Sequence, residues 1–200
     1  MKVEISKVLD RIGALKFGAF KLTSGKMSPY YIDLRIIPSF PDAFEKICDC
    51  FVEFIRSEIG LGNVDRIAGI PVAGIPFASV VAFNLKKPFL YVRKGARFHG
   101  RERRIEGIIA PGNRVLLMDD LVTTGLSLQK AERAIMAEGG VVTDAVVLID
   151  RQEGGREKLA KTGVKLHALL NITEIVSTLH ELGMIDQDQL KTILKQVKKG

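Results

Sequence analysis

The chain has little of what would take it out of the aqueous interior of a cell. No apolar run reaches the roughly 18 residues that a membrane-spanning helix needs, and the first residues carry no apolar core of a secretion signal. A cytoplasmic location with no membrane partner is therefore expected. Cysteine is scarce: Cys48 and Cys50 stand two apart in a predicted helix, where their side chains diverge, and neither has a His or Cys at ligand spacing. They read as core or boundary residues rather than as a disulfide or a zinc site. Internal repeats, low-complexity tracts and dividing linkers are absent too, so residues 1–200 are expected to form one domain.

What is present suits a compact enzyme. Hydrophobic residues make up 46% and charged residues 26% of 200, enough for one sizeable core. The net charge of +7 favours polyanionic ligands, without separating a nucleotide precursor from RNA. Ile5, Val8, Leu9, Ile12 and Leu15 recur at helical spacing, and a hairpin-like region follows from Phe20 to Leu34. Apolar runs at Arg66 to Ile70, Pro88 to Val92, Arg114 to Asp120, Asp144 to Asp150 and Val164 to Leu170 predict strands. Helical patterns lie at Pro41 to Glu58, Gly74 to Leu85, Gly125 to Glu138, Thr173 to Leu182 and Asp186 to Val197. This alternation predicts a doubly wound α/β sheet whose ligand sits at the carboxyl ends of the strands.

The most informative stretch is Val115 to Gly125, where a buried strand runs into Asp119 and Asp120 and then into Leu121, Val122, Thr123, Thr124 and Gly125, with Leu126 and Ser127 next. At such a strand-to-helix corner the first helical N–H groups have no internal partner. Hydroxyls and a glycine there let a phosphate approach. The acids would repel that phosphate and so should face neutral hydroxyls or a hydrated metal, and ribose supplies hydroxyls. A plainer reading also stands, in which the two acids cap the helix and the turn is ordinary loop chemistry.

Three further segments join this one. Gly69 to Pro76 follows a strand and opens a helix, which suits pyrophosphate or simply a tight α/β turn. Tyr91 to Arg101 is a basic, glycine-containing segment holding Arg93, Lys94, Arg97 and His99; it reads as a lid over a diphosphate, as a solvated loop, or as an RNA-binding loop. Ile149 to Gly155 ends another strand, and its Arg151 suits a planar carboxylate or a surface ion pair with Asp150 or Glu153.

Together these segments resemble the type I phosphoribosyltransferases, users of phosphoribosyl pyrophosphate (PRPP), and within them the orotate branch. The acid pair with its Thr-Thr-Gly turn marks PRPP users broadly. The early Ser24-Gly25-Lys26-Met27-Ser28-Pro29-Tyr30 segment, the basic segment and Asp150-Arg151-Gln152-Glu153 mark the branch. The resemblance implies a mainly parallel twisted sheet flanked by helices, with an N-terminal hood and a mobile basic loop. It implies transfer of the phosphoribosyl group from PRPP to orotate, giving orotidine 5′-monophosphate and pyrophosphate. Asp119 and Asp120 would hold the ribose hydroxyls, Thr123 to Ser127 the 5-phosphate, and Thr123 and Arg151 orotate. Arg93, Lys94, Arg97 and His99 would engage pyrophosphate, some of them across a homodimer interface. Mg²⁺ would come with the diphosphate and use few protein ligands, so no dedicated metal cage is expected.

The chain departs from the better-known bacterial pattern at positions where lysines are usual: Thr23 in the early segment, Ala73 in the pyrophosphate turn and Arg97 in the lid. How Lys26, Arg93, Lys94 and Arg97 divide the work is thereby left open. Two other function classes are also open, a phosphoribosyltransferase for another base and a nucleotide-sensing regulator that binds nucleic acid. No helix-turn-helix is appended, and no nucleic-acid partner is expected.

Overall fold

The computed structural model describes residues 1–21, 25, 27–93 and 104–197. Six strands form the central sheet in the order β5-β4-β3-β6-β7-β8. These are β3 (Arg66–Gly69), β4 (Phe89–Val92), β5 (Ile105–Glu106), β6 (Val115–Val122), β7 (Asp144–Asp150) and β8 (Lys165–Asn171). All neighbours are parallel except β5, which runs antiparallel to β4. Successive residues of a strand face opposite ways. Leu116 and Met118 of β6 enter one apolar cluster while Val115 and Leu117 enter another, which is why the strand is apolar throughout. The first cluster is completed by α1 (Lys2–Arg11), α2 (Pro41–Phe54), α3 (Gly74–Leu85), α6 (Ile172–Glu181) and α7 (Gln187–Val197). The second is completed by α4 (Leu126–Ala137) and α5 (Gly155–Ala160).

An antiparallel hairpin, β1 (Leu15–Lys21) with β2 (Met27–Ile32), stands apart from this sheet as the hood. It begins earlier than the periodicity predicts, because Leu15 falls on the helical spacing of α1 yet pairs with Ile32 as a strand residue. A 3₁₀ segment, Leu34–Ser39, leads from the hood into α2, and a wider π turn over Ile55–Ile59 ends what the pattern presents as one helix to Glu58. No described helix is long and apolar enough to cross a membrane.

The strand order places the site. From β3 the chain crosses to β4 on one side, and from β6 it proceeds to β7 and β8 on the other. The carboxyl ends of β3 and β6 therefore flank a topological switch point, where open α/β sheets bind their ligands.

Candidate active site

Two turns meet across this switch point. After β3, residues 70–73 turn tightly through a cis peptide between Pro71 and Val72, and α3 begins at Gly74. The Ile70 N–H donates to the Met118 carbonyl of β6 at 3.0 Å, drawing the turns together. A Cβ on Gly74 would stand 2.7 Å from Asp119 Oδ1 and 2.8 Å from Asp119 Cα, so only glycine permits this approach. Ala73 sits at the start of α3, half-buried.

After β6 the geometry separates the two readings of the acids. Strand pairing continues through Asp119, Leu121 and Val122, so both acids are strand residues. The helix α4 is capped by Gly125 in a left-handed conformation (φ 74°), with no side chain bonded to its N–H groups. The acids therefore do not cap it. Its first turn presents bare N–H donors beside Thr124, Leu126 and Ser127, all exposed, and Thr123, half-buried. Val122 is core and reaches a ligand only through its backbone. The bend is held from behind by Gly155, whose added Cβ would stand 2.6 Å from the Thr123 carbonyl and 2.7 Å from Val122 Cγ2.

Asp119 is buried, and its Oδ1 accepts the Asp120 N–H at 2.9 Å. Burial pushes the Asp120 carboxyl above the ordinary carboxylate value. The Asp119 side chain, the N–H groups of Asp120 and Leu121, and the field of the Arg35 guanidinium pull the other way. Arg35 stands just past the hood, its Nε and Nη2 held by Asp33 at 2.7 and 3.0 Å and its Nη2 also donating to Tyr31 Oη at 3.0 Å. Nothing in the sequence pattern marks Arg35 as a neighbour of the acids; the 3₁₀ segment carries it there.

Arg151 is no surface residue. It is 7% exposed, and its backbone N–H donates to the Val122 carbonyl at 3.0 Å, locking the end of β7 to the acid turn. Its Nε donates to Tyr30 Oη at 3.3 Å, and its guanidinium lies 4.9 Å from the centre of the Tyr30 ring. Nη2 lies 2.9 Å from Glu153 Oε1, too poorly aligned for a hydrogen bond. It is the one buried side-chain nitrogen or oxygen among the described residues without a hydrogen-bond partner. Asp150, the other partner the sequence offers, is occupied by the Gln152 N–H at 2.7 Å and by Arg156 Nη2 at 3.4 Å.

The basic segment is described only at its feet. Arg93 N–H donates to the Arg104 carbonyl at 2.7 Å, and Arg93 Nη1 pairs with Glu106 Oε1 at 3.1 Å across β4 and β5. Arg93 is thus tied to the edge ladder just past the carboxyl end of β4. Lys94, Arg97 and His99 lie outside the described residues, as do Thr23 and Lys26.

No three His, Cys, Asp or Glu side chains gather into a metal cluster among the described residues. The donors on offer are the carboxylates of Asp119 and Asp120. That set would suit Mg²⁺, a hard cation that takes oxygen ligands and needs few of them from the protein.

Residues 41–180 match the model of the phosphoribosyl transferase domain. The chain is 42% identical over 188 residues to the orotate phosphoribosyltransferase of Cenarchaeum symbiosum (strain A), covering 94% of each. The crystal structure of orotate phosphoribosyltransferase from Aeropyrum pernix aligns with a TM-score of 0.75 and 33% identity, over 90% of this chain and 99% of that one. Leishmania donovani UMP synthase aligns with a TM-score of 0.88 and 31% identity over 100% of this chain, which spans only 42% of that protein.

Proposed function

The chain belongs to the phosphoribosyltransferase family, in its orotate branch, and from this premise we propose how its residues transfer the 5-phosphoribosyl group from PRPP to orotate in UMP synthesis. Asp119 and Asp120 accept hydrogen bonds from the ribose hydroxyls. The bare N–H groups and hydroxyls from Thr123 to Ser127 take the 5-phosphate. Arg151, with Thr123, takes orotate. Arg93, Lys94, Arg97 and His99 attend the diphosphate. The observation that carries this reading is one juxtaposition: paired acids, a helix start without a side-chain cap and a buried arginine with an unsatisfied donor, all at one switch point.

As the bond from C1 to the diphosphate oxygen breaks, positive charge grows on the ribose ring and the leaving diphosphate keeps the bonding pair. A ring nitrogen of orotate then bonds to C1 from the opposite face and gives up its N–H proton to the departing diphosphate or to solvent. The protein contributes charge placed in advance rather than a nucleophile. Asp119 and Asp120 set negative charge beside the sugar, while the basic segment stabilises the leaving group and shuts out the water that would hydrolyse the activated ribose. Asp119 and Asp120 are the residues that would face an Mg²⁺ ion bound with the diphosphate, and such an ion would supply charge neutralisation on the leaving group. We further propose a homodimer in which residues of one protomer's basic segment serve the other's site, working in the cytoplasm.

Orotate consumption followed spectrophotometrically with PRPP and Mg²⁺ tests the reading, with hypoxanthine, adenine and uracil as competitors. Orotate should be consumed and the other bases spared. Consumption of a purine instead would overturn the choice of base. Salt-sensitive nucleic-acid binding without turnover would overturn the reaction itself.

A further inference from the structure

We infer that Tyr30 is a specificity-determining positioning residue: it aims the Arg151 guanidinium so that the site selects a base bearing a carboxylate. The inference rests on the assignment of Arg151 to orotate.

Tyr30 lies on β2 of the hood, 1% exposed, and reaches Arg151 at the far end of β7. A free arginine side chain forfeits rotamer freedom when a ligand fixes it. Here much of that ordering is already in place. The Tyr30 ring lies 4.9 Å from the guanidinium, and its phenol oxygen accepts Nε–H at 3.3 Å. With Nε held and the ring on one face, the directions of the two Nη groups are set. Nη2 stands beside Glu153 at 2.9 Å without aligning to it. An incoming carboxylate completes a paired contact that Glu153 leaves imperfect.

The nature of the clamp matters as much as its position. A second carboxylate at the place of the phenol would add to the counter-charge of Glu153 and compete with the substrate. A neutral phenol orients the cation and leaves its charge intact, and burial keeps it neutral by pushing the Tyr30 hydroxyl above its ordinary value. The Tyr30 hydroxyl hydrogen has no acceptor among the described residues, so the phenol is free to serve as acceptor toward Nε. A site whose buried donors are left unpaired by a ligand lacking the matching group rejects that ligand strongly. Uracil lacks the carboxylate.

The test compares Tyr30→Phe, Arg151→Ala and the double variant, reading KM for orotate, KM for PRPP, kcat, melting temperature and inhibition by uracil. Tyr30→Phe keeps the ring and removes the hydroxyl. It should raise the orotate KM about five- to tenfold, the weakening expected for a long hydrogen bond to a charged group, and leave the PRPP KM and the uracil inhibition constant unchanged. The ratio of orotate KM to uracil inhibition within one preparation does not depend on the fraction folded, so a partly unfolded variant still reports. The double variant should be no worse than Arg151→Ala alone, because the hydroxyl acts only through the guanidinium. An unchanged orotate KM in Tyr30→Phe, equal changes in both substrate KM values, or full additivity in the double variant would overturn the role of Tyr30 while Arg151 kept its own. An orotate KM unmoved by Arg151→Ala would overturn the assignment of Arg151 itself, and the inference with it.

Discussion

The two ends of the central sheet use the same residue types to opposite purposes. At the amino ends of the strands the charges are closed upon one another. Arg114 donates to Asp65 through Nε at 3.0 Å, Nη2 at 2.8 Å and its backbone N–H at 2.8 Å. Asp144 accepts Thr143 Oγ1 at 2.9 Å and lies 2.7 Å from His167 Nε2, whose ring meets Phe54 edge-on. At the carboxyl ends two acids lie side by side, α4 starts without a side-chain cap, and Arg151 Nη2, though 2.9 Å from Glu153, makes no hydrogen bond to a described residue. Leaving such a group unsatisfied costs a folded protein about 1–3 kcal/mol. Charge hydrogen-bonded within the chain holds strands in register, and donors left without a hydrogen bond are open to a ligand.

That contrast is broken most severely at Asp120. Asp120→Asn should lower turnover by about a hundredfold or more, the usual scale for losing one electrostatic contact to a transition state, with little change in melting temperature. Kinetics and thermal unfolding on the same sample check it, and unchanged kinetics would sink the proposed role. The raised Asp120 carboxyl adds a pH signature. If the carboxylate form is the working one, the acid limb of turnover should lie above the ordinary carboxylate range, near pH 4 for a free aspartate. Asp120→Asn should abolish that limb.

A substitution that crowds the open end without touching a charge comes next. Gly155→Ala places a methyl 2.6 Å from the Thr123 carbonyl, so the phosphate bend must shift. Overpacking of this kind costs about 1–3 kcal/mol. PRPP affinity should fall about tenfold, since a displacement near 1 Å in a positioning element carries losses of that order or larger. Equal PRPP affinity in the variant would mean that the bend is not the phosphate site.

These predictions also separate what the sequence makes legible from what it hides. The strands β3, β4, β6, β7 and β8 could be read because each is an apolar run ended by a turn, and the acids because they close the longest of those runs. The two-residue β5 is too short to show a period, and it pairs only after the chain returns through the basic segment. The six-residue α5 opens on Gly154 and Gly155, which read as a loop. Tyr30 and Arg151 are 121 residues apart, and no spacing rule joins them. Arg35 is likewise brought near Asp120 by the path of a 3₁₀ segment. Periodicity reports which face of an element is buried; it carries no record of which side chain from a distant element covers that face.

At the closed end, effects should fall on stability alone. His167→Ala leaves Asp144 without its closest partner inside a half-buried pair and should cost about 1–3 kcal/mol. Turnover and both KM values should hold at the temperature where the variant is folded. A kinetic defect there would mean that the two ends of the sheet are coupled, contrary to the division drawn between them.

The smallest effect is expected at Asp65, and pH makes it visible. The Arg114 side chain and N–H hold the Asp65 carboxyl well below the usual carboxylate range, through hydrogen bonds to its charged form. A group whose folded value is depressed contributes stability above its unfolded value and loses it as pH falls toward the folded one. The contribution should therefore be complete at neutral pH and decline only below about pH 4, where a free aspartate takes up its proton. Because the pair is solvent-exposed, screening keeps that contribution small. Melting temperatures of the wild type and Asp65→Asn should differ slightly at pH 7 and converge as the solution is acidified below pH 4, with turnover at neutral pH identical. A gap that widened on acidification would carry the wrong sign, and the ion pair would then have no part in holding β3 against β6.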